Sequence, residues 1–163
     1  MDELLITEQR QYVLFRLRSE EYGLAIKRVQ SIIRYEAATP VPRAPAGVDG
    51  VINLRGQVIP LVDLGRVLLG EPLVPTQASR IIVVESGVGS VGLAVDVVYE
   101  VASIAVADVK PAPAAALGAE TSEAFEGVVS HGDRLVILLD ADKALPKPVF
   151  MSGGQLQEDG ADV

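Results

Sequence analysis

The chain has 163 residues, 49% of them hydrophobic, which suits one medium-sized domain or two very small ones that share a core. Its formal net charge of −8, with Lys and Arg scattered along the chain, argues against nucleic acid as a partner. The sequence has no cysteine, no signal-peptide pattern and no uncharged apolar run of about 20 residues, so we expect a cytoplasmic protein without disulfides or direct membrane insertion.

Short runs of Val, Ile and Leu separated by Gly, Pro and Asp predict an all-β protein. Residues 12–17 and 22–26 form the first predicted hairpin. A helical turn leading into a strand is expected over 26–33. Residues 39–45 contain three prolines, which exclude a helix or a central strand and predict an extended segment.

The stretch 50–63 carries the clearest local signal, because two apolar, β-branched runs flank Asn-Leu-Arg-Gly. Asn53 and Gly56 tolerate positive φ, so the stretch predicts a hairpin with a four-residue loop. That loop lifts Arg55 out of apolar surroundings. Arg55 is then either a solvated turn residue or a fixed hydrogen-bonding fork, and the spacing alone leaves both readings open.

The second half of the chain echoes the first. Residues 127–140 repeat the pattern of 50–63 without a gap, and residues 91–95 repeat that of 22–26. Two echoes in the same order indicate an internal duplication. The second half also carries an Ala/Pro-rich insertion over 111–123, which the first half lacks.

These patterns predict two five-stranded β-barrels of SH3 or OB type, related by duplication and packed together. Each is expected to end in a short helix, capped by Asp63 in one half and Asp140 in the other. The predicted halves are residues 12–78 and 79–150 of a single domain, and exchange of strands between them is left open. Flexible tails are expected over 1–11 and 152–163.

The residues do not form a catalytic constellation. Residues 87–92 spell G-x-G-x-x-G, but a β-rich segment follows where a dinucleotide site needs a helix. His131 is the only histidine, so no His-based metal site or nucleophile pair can be assembled. Asp63 and Asp140 could be imagined as a general acid and base, but their equivalent places in the two repeats favour helix caps. We therefore predict no enzyme, no metal and no cofactor.

A series of motifs runs in order from residue 12 to residue 145. They are Glu21-Tyr-Gly-Leu-x-Ile26, Lys27-x-Val-Gln-x-Ile32, Pro40-Val-Pro42, Gly50-Val-Ile-Asn-Leu-Arg-Gly56, Pro60-Leu-Val-Asp63, Val91-Gly-Leu-x-Val-Asp96 and Gly127-x-x-x-x-Gly-Asp133-Arg-x-x-x-Leu-Leu-Asp140. This ordered series resembles the CheW family of chemotaxis coupling proteins.

The resemblance implies a non-enzymatic adaptor of two SH3-like barrels, monomeric alone and array-forming with its partners. The implied partners are the cytoplasmic tip of methyl-accepting chemoreceptors and the regulatory domain of a CheA-type histidine kinase. The matching receptor-binding positions are Val29, Arg55, Ile81, Gly92, Val98 and Val101. The matching kinase-binding positions are Gly50, Asn53, Gly56 and Gly127.

Two departures from the family pattern bear on partner choice. Ser31 stands where the family often has an acidic residue, and the insertion over 111–123 is rich in alanine. Three other functions stay open at this point. The chain could serve a pilus, gliding or transcription-linked chemosensory system, it could bind the kinase without the receptor, or it could hold a small ligand between the barrels.

Overall fold

The computed structural model describes residues 8–87, 89–111 and 124–145. In chain order the strands and the single α-helix of this part are β1 Gln9–Leu17, β2 Glu20–Ala25, β3 Val29–Arg34, β4 Val48–Leu54, β5 Gln57–Asp63, α1 Leu64–Leu69, β6 Arg80–Ser86, β7 Gly89–Val95, β8 Val97–Ala105, β9 Phe125–His131 and β10 Arg134–Leu139. Short 3₁₀ turns at Ile26–Arg28 and Val106–Asp108 follow β2 and β8. No helix of the described residues is long and apolar enough to cross a membrane.

The strands form two five-stranded sheets, which confirms the predicted fold class. Sheet A has the order β8-β1-β2-β10-β9, and sheet B has the order β3-β6-β7-β5-β4. Neither sheet is built from one half of the sequence, because sheet A combines the first two strands with the last three. Two parallel pairs make this exchange, with β10 beside β2 in sheet A and β5 beside β7 in sheet B.

A glycine lies in each of these parallel pairs, at equivalent positions of the internal repeat. A Cβ added to Gly23 would lie 2.9 Å from Cδ2 of Leu138, on the neighbouring strand β10. A Cβ added to Gly92 would lie 3.3 Å from Cδ1 of Leu61, on the neighbouring strand β5. The repeated Gly-Leu-Ala pattern therefore marks where strands from opposite halves of the chain come together.

The largest core cluster contains residues from both sheets. It includes Phe15, Tyr22 and Leu24 from sheet A together with Val62 and Leu93 from sheet B, all nearly inaccessible to solvent. The rings of Phe15 and Tyr22 stack with centroids 5.8 Å apart. A smaller apolar cluster lies within each sheet. Since the main cluster is shared, we refer to it as the shared core, and each sheet needs the other to bury its inner face.

The β4–β5 hairpin differs from its prediction in loop length. Asn53 and Leu54 continue β4, and the loop consists of Arg55 and Gly56 alone, with φ angles of 52° and 87°. Two successive positive φ angles are typical of a type I′ turn, whose twist matches that of the flanking strands. The Asn53 Oδ1 accepts a hydrogen bond from the Gly56 amide at 2.9 Å. The predicted four-residue loop was therefore wrong by two residues.

Only one of the two predicted helices is present among the described residues. Asp63 caps α1 by accepting a hydrogen bond from the Arg66 amide at 3.1 Å, and Gly70 ends the helix with φ of 75°. Asp140 makes a similar cap, with amide bonds from Asp142 and Lys143, but residues 141–145 form a turn rather than a helix. The prolines that follow at 146 and 148 lack the N–H groups that a further helical turn requires.

Three further sequence predictions can be compared with the structure. The first strand begins at Gln9 rather than at residue 12, because residues 9–11 pair with the end of β8. The glycine-rich stretch 87–92 runs into strand β7, so no helix follows it and a dinucleotide loop is excluded. Residues 112–123, most of the Ala/Pro-rich insertion, and residues 146–163 lie outside the described part of the chain.

A partly buried carboxylate lies beside α1. Burial and the neighbouring Asp63 both raise the pKa of Asp49 above its ordinary value, and Arg66 acts in the opposite direction. The Arg66 guanidinium is 3.6 Å from the Asp49 carboxylate. Because the folded-state pKa lies above that of the unfolded chain, the native state binds more protons. The contribution of Asp49 to the free energy of unfolding therefore falls as the pH rises from its pKa in the unfolded chain through its pKa in the folded protein.

Replacing Asp49→Asn should increase the free energy of unfolding at pH 7, by an amount on the order of 0.5 kcal/mol. The amide cannot ionise, and the 3.6 Å, partly exposed ion pair with Arg66 that it loses contributes little. Urea unfolding of both proteins at pH 7 and at pH 3 measures this, and the difference should disappear at pH 3. A variant that is less stable at pH 7 would show that the Arg66 pair outweighs the burial of Asp49.

Replacing Gly50→Ala should destabilise the protein by at least about 2 kcal/mol, because the new methyl group would overlap the carbonyl oxygen of Thr39 at a φ of 144°. Gly87→Ala is the matched control, since a Cβ there would meet no atom within 4 Å. Thermal and urea unfolding of both variants measure the effect. Equal stability of the two variants would contradict the crowding of Gly50.

Candidate partner-binding surfaces

Strand β3 presents aliphatic side chains on the face of sheet B that covers the shared core. Val29 and Ile32 stand directly opposite Val84 and Ile82 of β6, and both of these β6 residues belong to the shared core. Cross-strand partners lie on the same face of a sheet. Because β3 is an edge strand, Val29 and Ile32 form the rim of the core rather than its interior.

Strand β8 does the same at the edge of sheet A. Val98 and Val101 stand opposite Phe15 and Val13 of β1, and these two β1 residues also belong to the shared core. A bulge between Leu14 and Phe15 adjusts the register, so that Val98 and Val101 both lie on the core side although they are three residues apart.

Accessibility increases outward along both strands. Val29 and Val98 are half-buried and pack against the shared core, whereas Ile32 is 39% exposed and Val101 is 51% exposed. Large aliphatic side chains at this exposure on two edge strands of the same core are typical of a contact surface. We refer to Val29, Ile32, Val98 and Val101 as the inter-sheet surface.

The structure therefore places three predicted receptor positions on edge strands of the shared core and adds Ile32, which the sequence reasoning missed. Strict alternation along β3, counted from the half-buried Val29, would place Ile32 on the opposite face of the sheet. A bulge in the β3–β6 pairing between Val29 and Ser31 shifts the alternation by one residue. Ser31 stands opposite Val83, which belongs to the separate cluster of sheet B. The departure from the family pattern at Ser31 thus lies on the other face of the sheet.

Two other predicted receptor positions lie in the interior of sheet B. Ile81 has no accessible surface, and Gly92 is buried on the adjacent strand. A Cβ added to Gly92 would lie 2.9 Å from Cγ2 of Ile81, so these residues pack directly against each other. They offer no surface to a partner in this structure, and they support the strands β6 and β7 from within.

Arg55 is exposed at the tip of the β4–β5 hairpin. Its side chain makes no hydrogen bond or ion pair with any residue that the structure describes. The type I′ turn fixes its backbone, with φ of 52°. Strand β4 is the edge of sheet B opposite to β3 in the strand order, and Leu54, next to Arg55, packs against the same apolar cluster as Ile33 of β3.

Two of the predicted kinase positions, Gly50 and Gly127, are buried where another segment crosses the hairpin. The backbone of Thr39 pairs with Val51, beside Gly50, through two hydrogen bonds of 2.8 and 2.9 Å. The backbone of Lys110 pairs in the same way with the residue after Gly127, through two bonds of 2.8 Å. A Cβ at either glycine would collide with the crossing carbonyl, so both glycines shape the hairpins from the inside.

The outer faces of the same two hairpins carry exposed aliphatic residues that the sequence reasoning did not single out. Val58 is 64% exposed opposite Asn53, and Leu135 is 66% exposed opposite Ser130. They occupy equivalent positions in the two repeats. Strand alternation could have found them, because buried residues 59 and 61 require 58 to face outward. We refer to Val58, Asn53 and the turn residue Gly56 as the hairpin surface.

A polar cluster rigidifies strand β8 next to the inter-sheet surface. The carboxylate of Glu21 is buried, accepts a hydrogen bond from the Tyr99 hydroxyl and forms an ion pair with Nε of Arg134 at 3.1 Å. Burial and this bond to Glu21 raise the pKa of the Tyr99 hydroxyl. Arg16 lies over the Tyr99 ring, 4.6 Å from its centroid. The charged groups here contact one another or the Tyr99 ring, which is typical of a structural cluster.

The described residues contain no group of three or more His, Asp or Glu side chains arranged to hold a metal ion. His131 lies at the end of β9, with Nε2 3.2 Å from the Glu100 carboxylate of β8. This contact joins the two edge strands of sheet A.

Known proteins of one family are similar to this chain over most of its length. A family model described as the CheW-like domain matches residues 11–148. The chain is 34% identical to the chemotaxis protein CheW of Klebsiella aerogenes, over 85% of this chain and 83% of that protein. It is 37% identical to the chemotaxis protein CheW of Rhizobium meliloti, over 84% of this chain and 88% of that protein. The crystal structure of the scaffolding protein TtCheW from Thermoanaerobacter tengcongensis superimposes with a TM-score of 0.76 at 30% identity, covering 85% of this chain and 89% of that one.

The family model covers most of the chain, and the relatives are matched over most of their own length. The two five-stranded sheets agree with the solved TtCheW structure. The resemblance inferred from the ordered motifs is confirmed. This chain belongs to the CheW family, whose members are non-enzymatic chemotaxis scaffolds that couple receptors to the kinase CheA.

Proposed function

We propose that this chain binds the cytoplasmic tips of methyl-accepting chemoreceptors and the regulatory domain of a CheA-type kinase through two separate surfaces. It works in the cytoplasm, is monomeric alone and reaches the membrane through receptor arrays. The observation that carries the proposal is the presence of exposed aliphatic residues at two places on one fold, on the edge strands β3 and β8 and on the β4–β5 hairpin.

The inter-sheet surface suits the receptor tip. A receptor tip is a helical hairpin, and an amphipathic helix binds by laying its apolar stripe against a row of aliphatic side chains. Val29 and Val98 supply a half-buried floor, and Ile32 and Val101 supply accessible rims. The interior residues Ile81 and Gly92 contribute to this surface through the position of β6, without touching the receptor.

The hairpin surface suits the kinase. The exposed Val58 lies beside Asn53, whose side chain is held by the Gly56 amide. Gly50 acts on this surface indirectly, by letting the segment at Thr39 close against β4. Gly127 has the same role in the second hairpin. Two surfaces on one scaffold allow weak individual contacts to add up in an array through high effective concentration.

A matched pair of variants tests this division. Val101→Glu should weaken binding of a receptor-tip fragment at least tenfold, about 1.4 kcal/mol, and leave binding of the kinase regulatory domain unchanged. Val58→Glu should do the reverse. Isothermal titration of each variant with each partner measures both effects, and each substitution buries no new charge because both valines are more than half exposed.

Val74→Glu is the control, since Val74 is 63% exposed and belongs to neither surface. It should bind both partners as the unmodified chain does. If Val101→Glu and Val58→Glu each weakened the same partner, the assignment of two separate surfaces would be wrong. Binding of the kinase alone by the unmodified chain would identify a kinase-titrating protein, and binding of neither partner would refute the proposed function.

Arg55→Ala should fold normally and weaken binding of the receptor-tip fragment at least tenfold, about 1.4 kcal/mol. Normal folding is expected because the side chain makes no contact that the described structure depends on. Thermal unfolding and titration with the receptor fragment and the kinase domain check both parts. A loss confined to the kinase would instead place Arg55 with Val58 in the kinase contact.

A further inference from the structure

Two arginines face each other across strands β3 and β6, at one end of the inter-sheet surface. Arg34 is the direct cross-strand partner of Arg80. Arg34 follows Ile32 by two residues, so it lies on the same face of β3 as Ile32. Directly opposed side chains have Cβ atoms about 5 Å apart, and like charges in this arrangement destabilise a sheet.

Neither arginine is neutralised within the described part of the chain. Arg34 makes no hydrogen bond or ion pair there, whereas Arg10, Arg18, Arg28, Arg66 and Arg134 each pair with a carboxylate. Lack of acidic side chains cannot explain this, because the chain carries 22 of them and a net charge of −8. The nearest acidic residue in sequence, Glu36, makes no ion pair with Arg34.

Arg80 is also held in place. Its Nη1 donates hydrogen bonds of 2.8 Å to the carbonyl oxygens of Gln77 and Ser79. These bonds fix the guanidinium plane and leave Nε and Nη2 without a partner among the described residues. A fixed guanidinium with two free donors is preorganised to bind a carboxylate, and the opposed Arg34 supplies a second cation.

We propose that Arg34 and Arg80 form a binding site for a carboxylate of the receptor tip, an Asp or Glu side chain beside the apolar stripe that covers the inter-sheet surface. This inference rests on the proposed receptor contact. It gives that contact an electrostatic anchor next to Ile32, on the opposite edge of sheet B from Arg55. The site would favour receptors that carry an acidic residue at this point and disfavour those with a basic one.

The diagnostic variant is Arg34→Glu, because its effects on stability and binding should have opposite signs. It replaces a like-charge pair with an opposite-charge pair, so the midpoint of urea unfolding should rise or stay unchanged. Binding of the receptor-tip fragment should weaken at least tenfold, and Arg34→Gln should weaken it less. Both losses should shrink at 0.5 M salt.

Arg43→Glu is the matched control, because Arg43 is exposed and makes no ion pair among the described residues. The substitution also changes the net charge by the same amount as Arg34→Glu. It should bind the receptor fragment within twofold of the unmodified chain. Equal binding by Arg34→Glu and the unmodified chain would overturn the proposed site while leaving the receptor contact standing. A loss of binding in proportion to a loss of stability would also overturn it.

A second measurement separates this inference from the proposed function. Nuclear magnetic resonance of the arginine Nε–H groups can follow a titration of the unmodified chain with glutarate, a simple dicarboxylate. Saturable shifts at Arg34 and Arg80, absent in Arg34→Glu, support an anion site even if the receptor fragment does not bind. Shifts no larger than those of Arg43 would show that the pair has no preference for carboxylates, and the inference would fall.

Discussion

The exchange of strands between the two halves of the chain constrains everything else in this structure. The parallel pairs β2–β10 and β5–β7 join segments more than a hundred and about thirty residues apart, respectively, by backbone hydrogen bonds. Close approach in each pair depends on a small residue, Gly23 in one and Gly92 in the other. Sheet A cannot form before β10 has been reached in the chain. The two sheets should therefore fold and unfold as one cooperative unit.

This topology also determines where partners can bind. Each sheet has two edge strands, and an unprotected edge is liable to pair with other chains. The outer hairpin edges are covered by the crossing segments at Thr39 and Lys110, which satisfy part of the backbone of β4 and β9. The remaining edges, β3 and β8, border the shared core and expose their aliphatic side chains. Core rim and proposed receptor surface are thus the same residues, and we expect a substitution at Val29 to affect both stability and recognition.

Much of the fold could be predicted from local signals in the sequence. Alternating apolar residues identified the hairpins, Asp63 and Gly70 bounded the helix, and the repeated Gly-Leu-Ala revealed the duplication. The pairing of β2 with β10 could not be predicted, because parallel pairing between distant strands leaves no periodic signal of its own. The prediction of a second helix was wrong for a local reason. Asp140 provides a cap, but the prolines at 146 and 148 cannot extend a helix that begins there.

The binding surfaces were less predictable than the fold, because a motif identifies a position without showing which way its side chain points. Val98 and Val101 belong to one surface only because a bulge in the β1–β8 pairing resets the alternation. Ile32 and Arg34 share a face with Val29 because of a second bulge in β3. Sequence spacing therefore gives the wrong face for both strands unless the bulges are known.

The buried glycines show that a motif position can also be one where no side chain fits. Gly50 and Gly127 match positions associated with partner binding, but the space where a side chain would begin is filled by a crossing carbonyl. A substitution at Gly50 must displace the segment at Thr39 before any partner arrives, and the displacement spreads into the β4–β5 hairpin. A binding defect caused by a substitution at such a position would therefore reflect a changed shape of the surface. Contact residues have to be sought among side chains that are both exposed and conformationally fixed, and Val58 and Val101 meet that condition here because they lie on paired strands.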